Sequence, residues 1–96
     1  MGERVKHVNE LVVGDIIGNE FHHHIKITSL PFKNDGRWYC GAYHVAGEYK
    51  DKSTKYYYLC PDPGFINHFT YIHKCGVRVR HKYPSMGDSK IKHYFM

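Results

Sequence analysis

The chain of 96 residues carries a formal net charge of +5 and is rich in aromatic residues, with nine tyrosines and five phenylalanines. This length predicts one domain, residues 1–96, with a modest core, because a chain of this size buries about 60–65% of its surface on folding. The odd number of cysteines, three, argues against a disulfide framework and predicts a reducing cytoplasmic setting. No apolar run is long enough for a signal peptide or a membrane-spanning segment.

Short apolar segments recur along the chain, separated by glycine, proline, asparagine and aspartate at intervals of about 8–14 residues. Tyrosine, phenylalanine, isoleucine, valine and threonine favour the pleated, half-buried surface of a sheet. The sequence therefore predicts an all-β fold, a small barrel or open roll of about five to seven antiparallel strands. The predicted segments are residues 4–8, 11–17, 21–30, 37–45, 54–60, a strand from about residue 69, 77–83 and 90–95.

The segment L-V-V-G-D-I-I, residues 11–17, combines apolar residues with a bend. Gly14 permits a sharp change of direction, and the carboxylate of Asp15 can accept hydrogen bonds from neighbouring backbone amides. We expect Val13, Ile16 and Ile17 to contribute to the core.

Residues 21–30 and 37–45 are predicted to form a hairpin. The turn K-N-D-G between them is typical of tight hairpin connections, because asparagine, aspartate and glycine tolerate a positive φ. Alternate residues of the first strand share one predicted face. They are Phe21, His23, Ile25 and Ile27.

Residues 65–74, F-I-N-H-F-T-Y-I-H-K, fit two interpretations. Asp62 as an N-cap, followed by Pro63, favours a short helix that ends at Gly76. The segment is rich in strand formers and lacks alanine, leucine, glutamate and glutamine, so we predict a strand from about residue 69. One helical turn near residues 63–69 is compatible with this prediction.

The chain carries E-L-V-V-G-D-I-I at residues 10–17, K-I-T-S at 26–29 and W-Y-C-G-A-Y-H-V at 38–45. Together these stretches resemble small Src-homology-type β-barrel proteins, many of which are encoded by bacteriophages and other small genomes. The resemblance covers about residues 8–60 and implies a fold. It implies no activity, because one fold serves many functions.

The excess of positive charge lies in residues 65–96, which carry six lysines and arginines against the single acid Asp88. In residues 77–83 and 90–95 cations occupy every second position, so period-2 geometry turns them to one side of each strand. They are Arg78, Arg80, Lys82, Lys90 and Lys92. Antiparallel pairing through a loop at residues 84–89 would set like charges opposite each other, at a cost of up to about 1 kcal/mol per pair. A polyanion would neutralise them.

Aromatic residues alternate with these cations, and Tyr83 and Tyr94 are the candidate stacking residues. The run at residues 56–58, three consecutive tyrosines, must also expose at least one ring unless both faces of the sheet are covered. Phosphate-neutralising cations beside stacking rings are what single-stranded nucleic acid requires. We therefore predict a non-catalytic module that binds DNA or RNA through this face and needs no cofactor.

Other interpretations of the cationic face stay open. It can be a solvated surface that keeps a small protein soluble. It can also bind an acidic surface of another protein, for example as a phage-encoded inhibitor of a host factor. Residues 90–95 could form an edge strand that recruits a second copy of the chain.

Metal binding and catalysis have weaker sequence signals. Four residues are candidate zinc ligands: Cys40, His44, Cys60 and Cys75. Their spacing lacks the paired cysteines of structural zinc sites, and a small buried thiol on the strand face of Trp38 and Ala42 explains Cys40 more simply. Nine histidines allow a ribonuclease mechanism with paired imidazoles, but their spacing selects no pair. We predict neither a metal site nor an enzyme.

Overall fold

Six β-strands and one 3-10 helical turn form the secondary structure of the computed structural model, which describes residues 3–76 and the pair 85–86. The helical turn is Val8–Glu10. The strands are β1 (Ile16–Gly18), β2 (His24–Asn34), β3 (Arg37–Ala46), β4 (Ser53–Pro61), β5 (Thr70–His73) and β6 (Ser85–Met86).

The first five strands form one antiparallel sheet in the order β4-β3-β2-β1-β5. β4 and β5 lie at opposite ends of this order and do not pair with each other in the described part of the chain. The sheet is therefore open. This confirms the predicted all-β class and favours the open roll over the closed barrel.

The long hairpin of β2 and β3 forms about the predicted turn. β3 lies within one residue of its predicted bounds, whereas β2 spans residues 24–34 instead of the predicted 21–30. Its turn residues Asp35 and Gly36 have φ angles of 53° and 73°, and Asn34 pairs with Arg37 across the turn. Two consecutive positive φ angles match the right-handed twist of the flanking strands, which is why Asp-Gly favours this connection. β4 also lies within a residue of its predicted bounds at each end.

The core lies on one face of the sheet, with Trp38 and Tyr57 packed against it. Its buried residues are Val5, Val8, Leu11, Ile17, Ile25, Ile27, Cys40, Ala42, Leu59, Cys60, Ile66, Phe69 and Tyr71. The predicted contribution of Val13 to the core is wrong, since its side chain is 50% exposed. Phe21, predicted to share a strand face with Ile25 and Ile27, precedes β2 and is 70% exposed. Both lie in turns before a strand begins, where the alternation of a strand does not operate.

The structure of residues 4–8 differs from the sequence prediction. Residues 4–8, predicted as a strand, make only isolated bridges to Thr70 and Phe65. His7 instead caps the helical turn, where its side chain accepts from a backbone amide and its own amide donates to Glu10. A cap of this kind ends the extended conformation.

The preference for a strand from about residue 69 is confirmed by β5. The helix considered for residues 65–74 is wrong, and residues 63–69 form no helical turn. Ile66 and Phe69 are buried in the core without it, and strand formers pair well at the edge of a sheet.

β6 falls inside the loop predicted at residues 84–89. It pairs in parallel with the end of β2, with Ser85 opposite Lys33 and Met86 opposite Asn34. The two predicted strands at residues 77–83 and 90–95 lie outside the described residues.

Asp15 joins three parts of the fold. Its side chain is fully buried and accepts hydrogen bonds from the amides of Val12 (3.1 Å) and Cys75 (2.8 Å). Its main chain is paired with Ile27 of β2, whose amide donates to the Asp15 carbonyl at 2.8 Å. Gly14, with a φ of 100°, makes the bend that aims the carboxylate inward. The predicted role of Asp15 as an acceptor of backbone amides is therefore confirmed.

We expect Asp15→Ala to lower the free energy of unfolding by about 2–6 kcal/mol, because the buried amide of Val12 and the part-buried amide of Cys75 lose their acceptor at about 1–3 kcal/mol each. Asp15→Asn keeps one acceptor oxygen and should lose roughly half as much. Urea unfolding followed by circular dichroism measures both changes. Glu48→Ala, at an exposed acid, is the control. Equal stability of the Asp15→Ala and Glu48→Ala variants would contradict this role of Asp15.

Candidate functional site

The seven residues of the predicted interface all lie outside the described part of the chain. They are Arg78, Arg80, Lys82, Tyr83, Lys90, Lys92 and Tyr94. What the structure does place is β6, which lies between the two cationic runs in sequence and pairs with Lys33 and Asn34 at the end of β2. The side of β2, β3 and β4 that lies opposite the core is called the outer face.

Strand register identifies the residues of this outer face. Phe32 pairs with Tyr39, and Tyr39 pairs with Tyr58, so the three rings share one side of the sheet. Tyr57, one position away, points to the other side and packs near Phe69. Tyr58 is 45% exposed, which confirms the prediction that the run of tyrosines at residues 56–58 exposes a ring.

Four rings on the outer face form what we call the tyrosine cluster: Phe32, Tyr39, Tyr56 and Tyr58. Tyr39 and Tyr56 are stacked with centroids 4.0 Å apart and an interplanar angle of 7°. Phe32, which is fully buried, stacks on both of them, at 6.0 and 5.7 Å. Tyr58 meets Tyr39 edge-on at 5.7 Å. The cluster therefore ends in an exposed ring on a rigid aromatic base.

Polar groups hold one end of the tyrosine cluster in place. The amide nitrogen of Asn34 donates to the hydroxyl of Tyr56 at 2.7 Å. Arg37 lies two residues before Tyr39 on β3 and therefore on the same face, with an exposed side chain 3.9 Å from Asp35. At an exposed site this ion pair is weak, so the guanidinium can exchange Asp35 for another anion.

The outer face continues along β3 to Tyr43, which pairs with Lys26 of β2. The Tyr43 hydroxyl donates to Asp51 at 2.7 Å, and this hydrogen bond raises the pKa of Tyr43. Arg37 and Tyr43 are six positions apart on one strand, a distance of roughly 20 Å at 3.3 Å per residue. A surface of this length accommodates a short stretch of an extended polymer.

The four candidate zinc ligands are not gathered into a site. Within residues 3–76, no three side chains of histidine, cysteine, aspartate or glutamate are arranged to hold a metal ion. Burial raises the pKa of Cys40, and burial followed by the charge of Asp62 raises the pKa of Cys60 to about 11. Both thiols are therefore protonated at neutral pH, whereas zinc binds the thiolate. Cys40 lies buried beside Ala42, as expected for a small core residue.

We expect a thiol reagent at pH 7 to label Cys75, which is half-buried, and to reach Cys40 and Cys60 only on unfolding. Native protein should show one fast-reacting thiol, and Cys75→Ser should remove that phase. Mass spectrometry of the labelled peptides identifies the reacting residue. Fast labelling of Cys40 or Cys60 in the folded protein would contradict the burial described.

Two of the histidines come together. The rings of His23 and His44 both contact Tyr49, at 6.2 and 5.7 Å between centroids. Sequence spacing could not select this pair, because the turn at residues 19–23 and the loop at residues 47–52 bring them together. His44 is buried, so the pair does not present two accessible imidazoles to a substrate.

A polar cleft of about 240 Å³ lies at another part of the surface. Its lining residues are Arg4, Asn19, Glu20, Asn67, His68 and Thr70. Arg4 already donates to the carbonyl of Asn67 at 2.6 Å, and Glu20 adds negative charge. The cleft therefore lacks the uncompensated positive charge of a phosphate site.

No helix in the described part of the chain is long and apolar enough to cross a membrane. Comparison of the chain with protein-family models, with curated proteins and with solved structures found no match.

Proposed function

We propose that this protein binds single-stranded nucleic acid and performs no catalysis. The observation that carries the proposal is the exposed ring of Tyr58 at the end of the stacked tyrosine cluster, on the same sheet face as Arg37. A ring that is held in place beside a cation can stack on a base while the cation contacts phosphate.

The stacking within the cluster supports this proposal because it reduces the entropy lost on binding. Tyr39 and Tyr56 are fixed by their mutual contact and by the hydrogen bond from Asn34. Tyr58 leans on Tyr39 and lies opposite it in register. A base that stacks on Tyr58 meets a ring that has already lost much of its rotational freedom. Stacking on such rings tolerates every base, so we expect little sequence preference.

The charge of the C-terminal third supports the same ligand. The sequence of residues 65–96 contains five cations at alternate positions and a single acid, Asp88. β6 brings the sequence between the two cationic runs to Asn34, whose side chain holds Tyr56 of the tyrosine cluster. Cations and rings on one surface would neutralise the backbone and stack the bases of the same strand.

Tyr58→Ala is expected to weaken binding of a labelled, mixed-sequence single-stranded oligonucleotide about 5- to 150-fold, the loss of one stacked base at about 1–3 kcal/mol. Fluorescence anisotropy at low salt measures the affinity. Phe21→Ala is the control, because Phe21 is also an exposed ring, at 70%, and lies outside both the tyrosine cluster and the loop at residues 47–52. Equal affinities of the two variants would exclude Tyr58 as a stacking residue.

The triple variant Arg78→Ala, Arg80→Ala and Lys92→Ala should bind the oligonucleotide weakly. Its plot of log affinity against log salt should be shallower by about 2, since each phosphate contact on a single strand contributes about 0.7. Replacement of the exposed Lys6, Lys50 and Lys52 by alanine removes the same charge elsewhere and is the control. Circular dichroism should show that both triple variants remain folded.

Absence of binding by the unmodified protein at low salt and high protein concentration would overturn the proposed function. The acidic surface of a partner protein would then be the preferred ligand of the cationic residues.

A further inference from the structure

His44 is a buried titratable residue that the proposed function does not use. It lies on the core face of β3, opposite Ile25 of β2, and is 8% exposed. Its Nδ1 atom is buried and has no hydrogen-bond partner among the described residues. A neutral imidazole with an unpaired acceptor nitrogen tolerates this position, whereas an imidazolium would bury an unpaired N–H and a charge.

Aromatic rings enclose the His44 side chain. Tyr49, in the loop at residues 47–52, contacts it edge-on at 5.7 Å between centroids, and Tyr57 of β4 contacts it at 5.6 Å. We call residues 47–52 the Tyr49 loop. Tyr57 belongs to the sheet, whereas Tyr49 belongs to the loop. Because a loop moves more easily than a sheet, we infer that the loop controls the access of water to His44.

The backbone of His44 also fastens the Tyr49 loop. The His44 amide donates to the carbonyl of Lys52, and the Asp51 amide donates to the carbonyl of His44, both at 2.8 Å. Gly47, with a φ of 102°, brings the loop against the backbone of His22 and His23, about 3.2 Å from an ideal Cβ at this position. The two backbone hydrogen bonds of His44 and its ring contact with Tyr49 therefore all require the closed conformation of the loop.

The groups that face His44 offer no negative charge to balance an imidazolium. His23 approaches from the turn before β2, Tyr49 from the loop and Tyr57 from β4. The Asp51 carboxylate accepts the Tyr43 hydroxyl on the outer face, and within the described residues no carboxylate lies within 4.0 Å of His44 to form an ion pair. Burial, followed by repulsion from His23, lowers the pKa of His44.

We propose that His44 is an acid-sensitive latch that keeps the Tyr49 loop closed while its imidazole is neutral and releases the loop when the ring takes a proton. A protonated His44 needs a hydrogen-bond acceptor for its Nδ1–H group. Water can be that acceptor once the His44 ring or Tyr49 moves outward. The switch rests on the contacts of His44 and not on the binding of nucleic acid.

The direction of the pH effect follows from proton linkage. In the open form His44 is exposed and takes a proton near the ordinary histidine pKa of about 6.5, whereas the closed form resists protonation. The closed form is therefore fully stable above about pH 6.5 and loses stability as the pH falls from there toward the lowered pKa of His44. Within that window the opening constant rises up to about tenfold per pH unit, and below it the constant levels off.

Amide hydrogen exchange followed by NMR between pH 7.5 and pH 5 tests the latch. The protection factors of His44, Asp51 and Lys52 should fall in this range, while those of Ile25 and Ile27 in the sheet should stay constant. The His44 imidazole resonances should titrate below pH 6.5 together with the loss of protection. His44→Phe keeps a ring between Tyr49 and Tyr57 but cannot take a proton, so its loop should stay protected throughout.

The control is His68→Phe, at an exposed histidine outside the latch, which should retain the pH dependence of the unmodified protein. A His44 pKa at or above 6.5, or loop opening at low pH in His44→Phe, would overturn the proposal. If His44→Phe does not fold, the titration of His44 and of the loop amides in the unmodified protein decides it. Oligonucleotide binding plays no part in these measurements, so they can fail or succeed independently of the proposed function.

Discussion

The fold depends on a buried carboxylate, that of Asp15, which accepts hydrogen bonds from backbone amides. Asp15 is bound by amides from its own turn and from Cys75, while its main chain pairs with Ile27. Backbone amides can satisfy a buried carboxylate because several dipoles together replace its lost hydration. Asp15 therefore links three segments: the bend after the helical turn, β2 at Ile27, and the chain just after β5 at Cys75. In a barrel, pairing of the first and last strands holds the sheet together. In this open sheet, contacts such as those of Asp15 hold neighbouring segments together.

Local sequence rules predicted the central hairpin well. The Asn-Asp-Gly turn and the alternating residues of β3 predict the strands, and Asp15 and Gly14 predict the bend before β1. Tertiary contacts decide what these rules could not. Val13 and Phe21 are apolar but lie in turns, and residues 4–8 end in a cap rather than a strand.

The candidate site was only partly accessible to sequence analysis. The run of three tyrosines at residues 56–58 predicts an exposed ring, but only the register of β3 and β4 shows that Tyr58 joins Tyr39 on the outer face. The pairing of His23 with His44 under Tyr49 has no sequence signal, because it arises where a turn and a loop meet. The cationic residues at positions 78–92 remain a prediction from alternation and charge.

Alternation along β3 places Tyr43 and His44, neighbours in sequence, on opposite faces of the sheet. The Tyr49 loop reaches both residues, since Asp51 binds the hydroxyl of Tyr43 and Tyr49 covers the ring of His44. One short connection thus spans the thickness of the sheet. If the Tyr49 loop moves as one unit, a molecule that draws Asp51 away from Tyr43 would change the proton affinity of His44, and by reciprocity acid would change the affinity for that molecule.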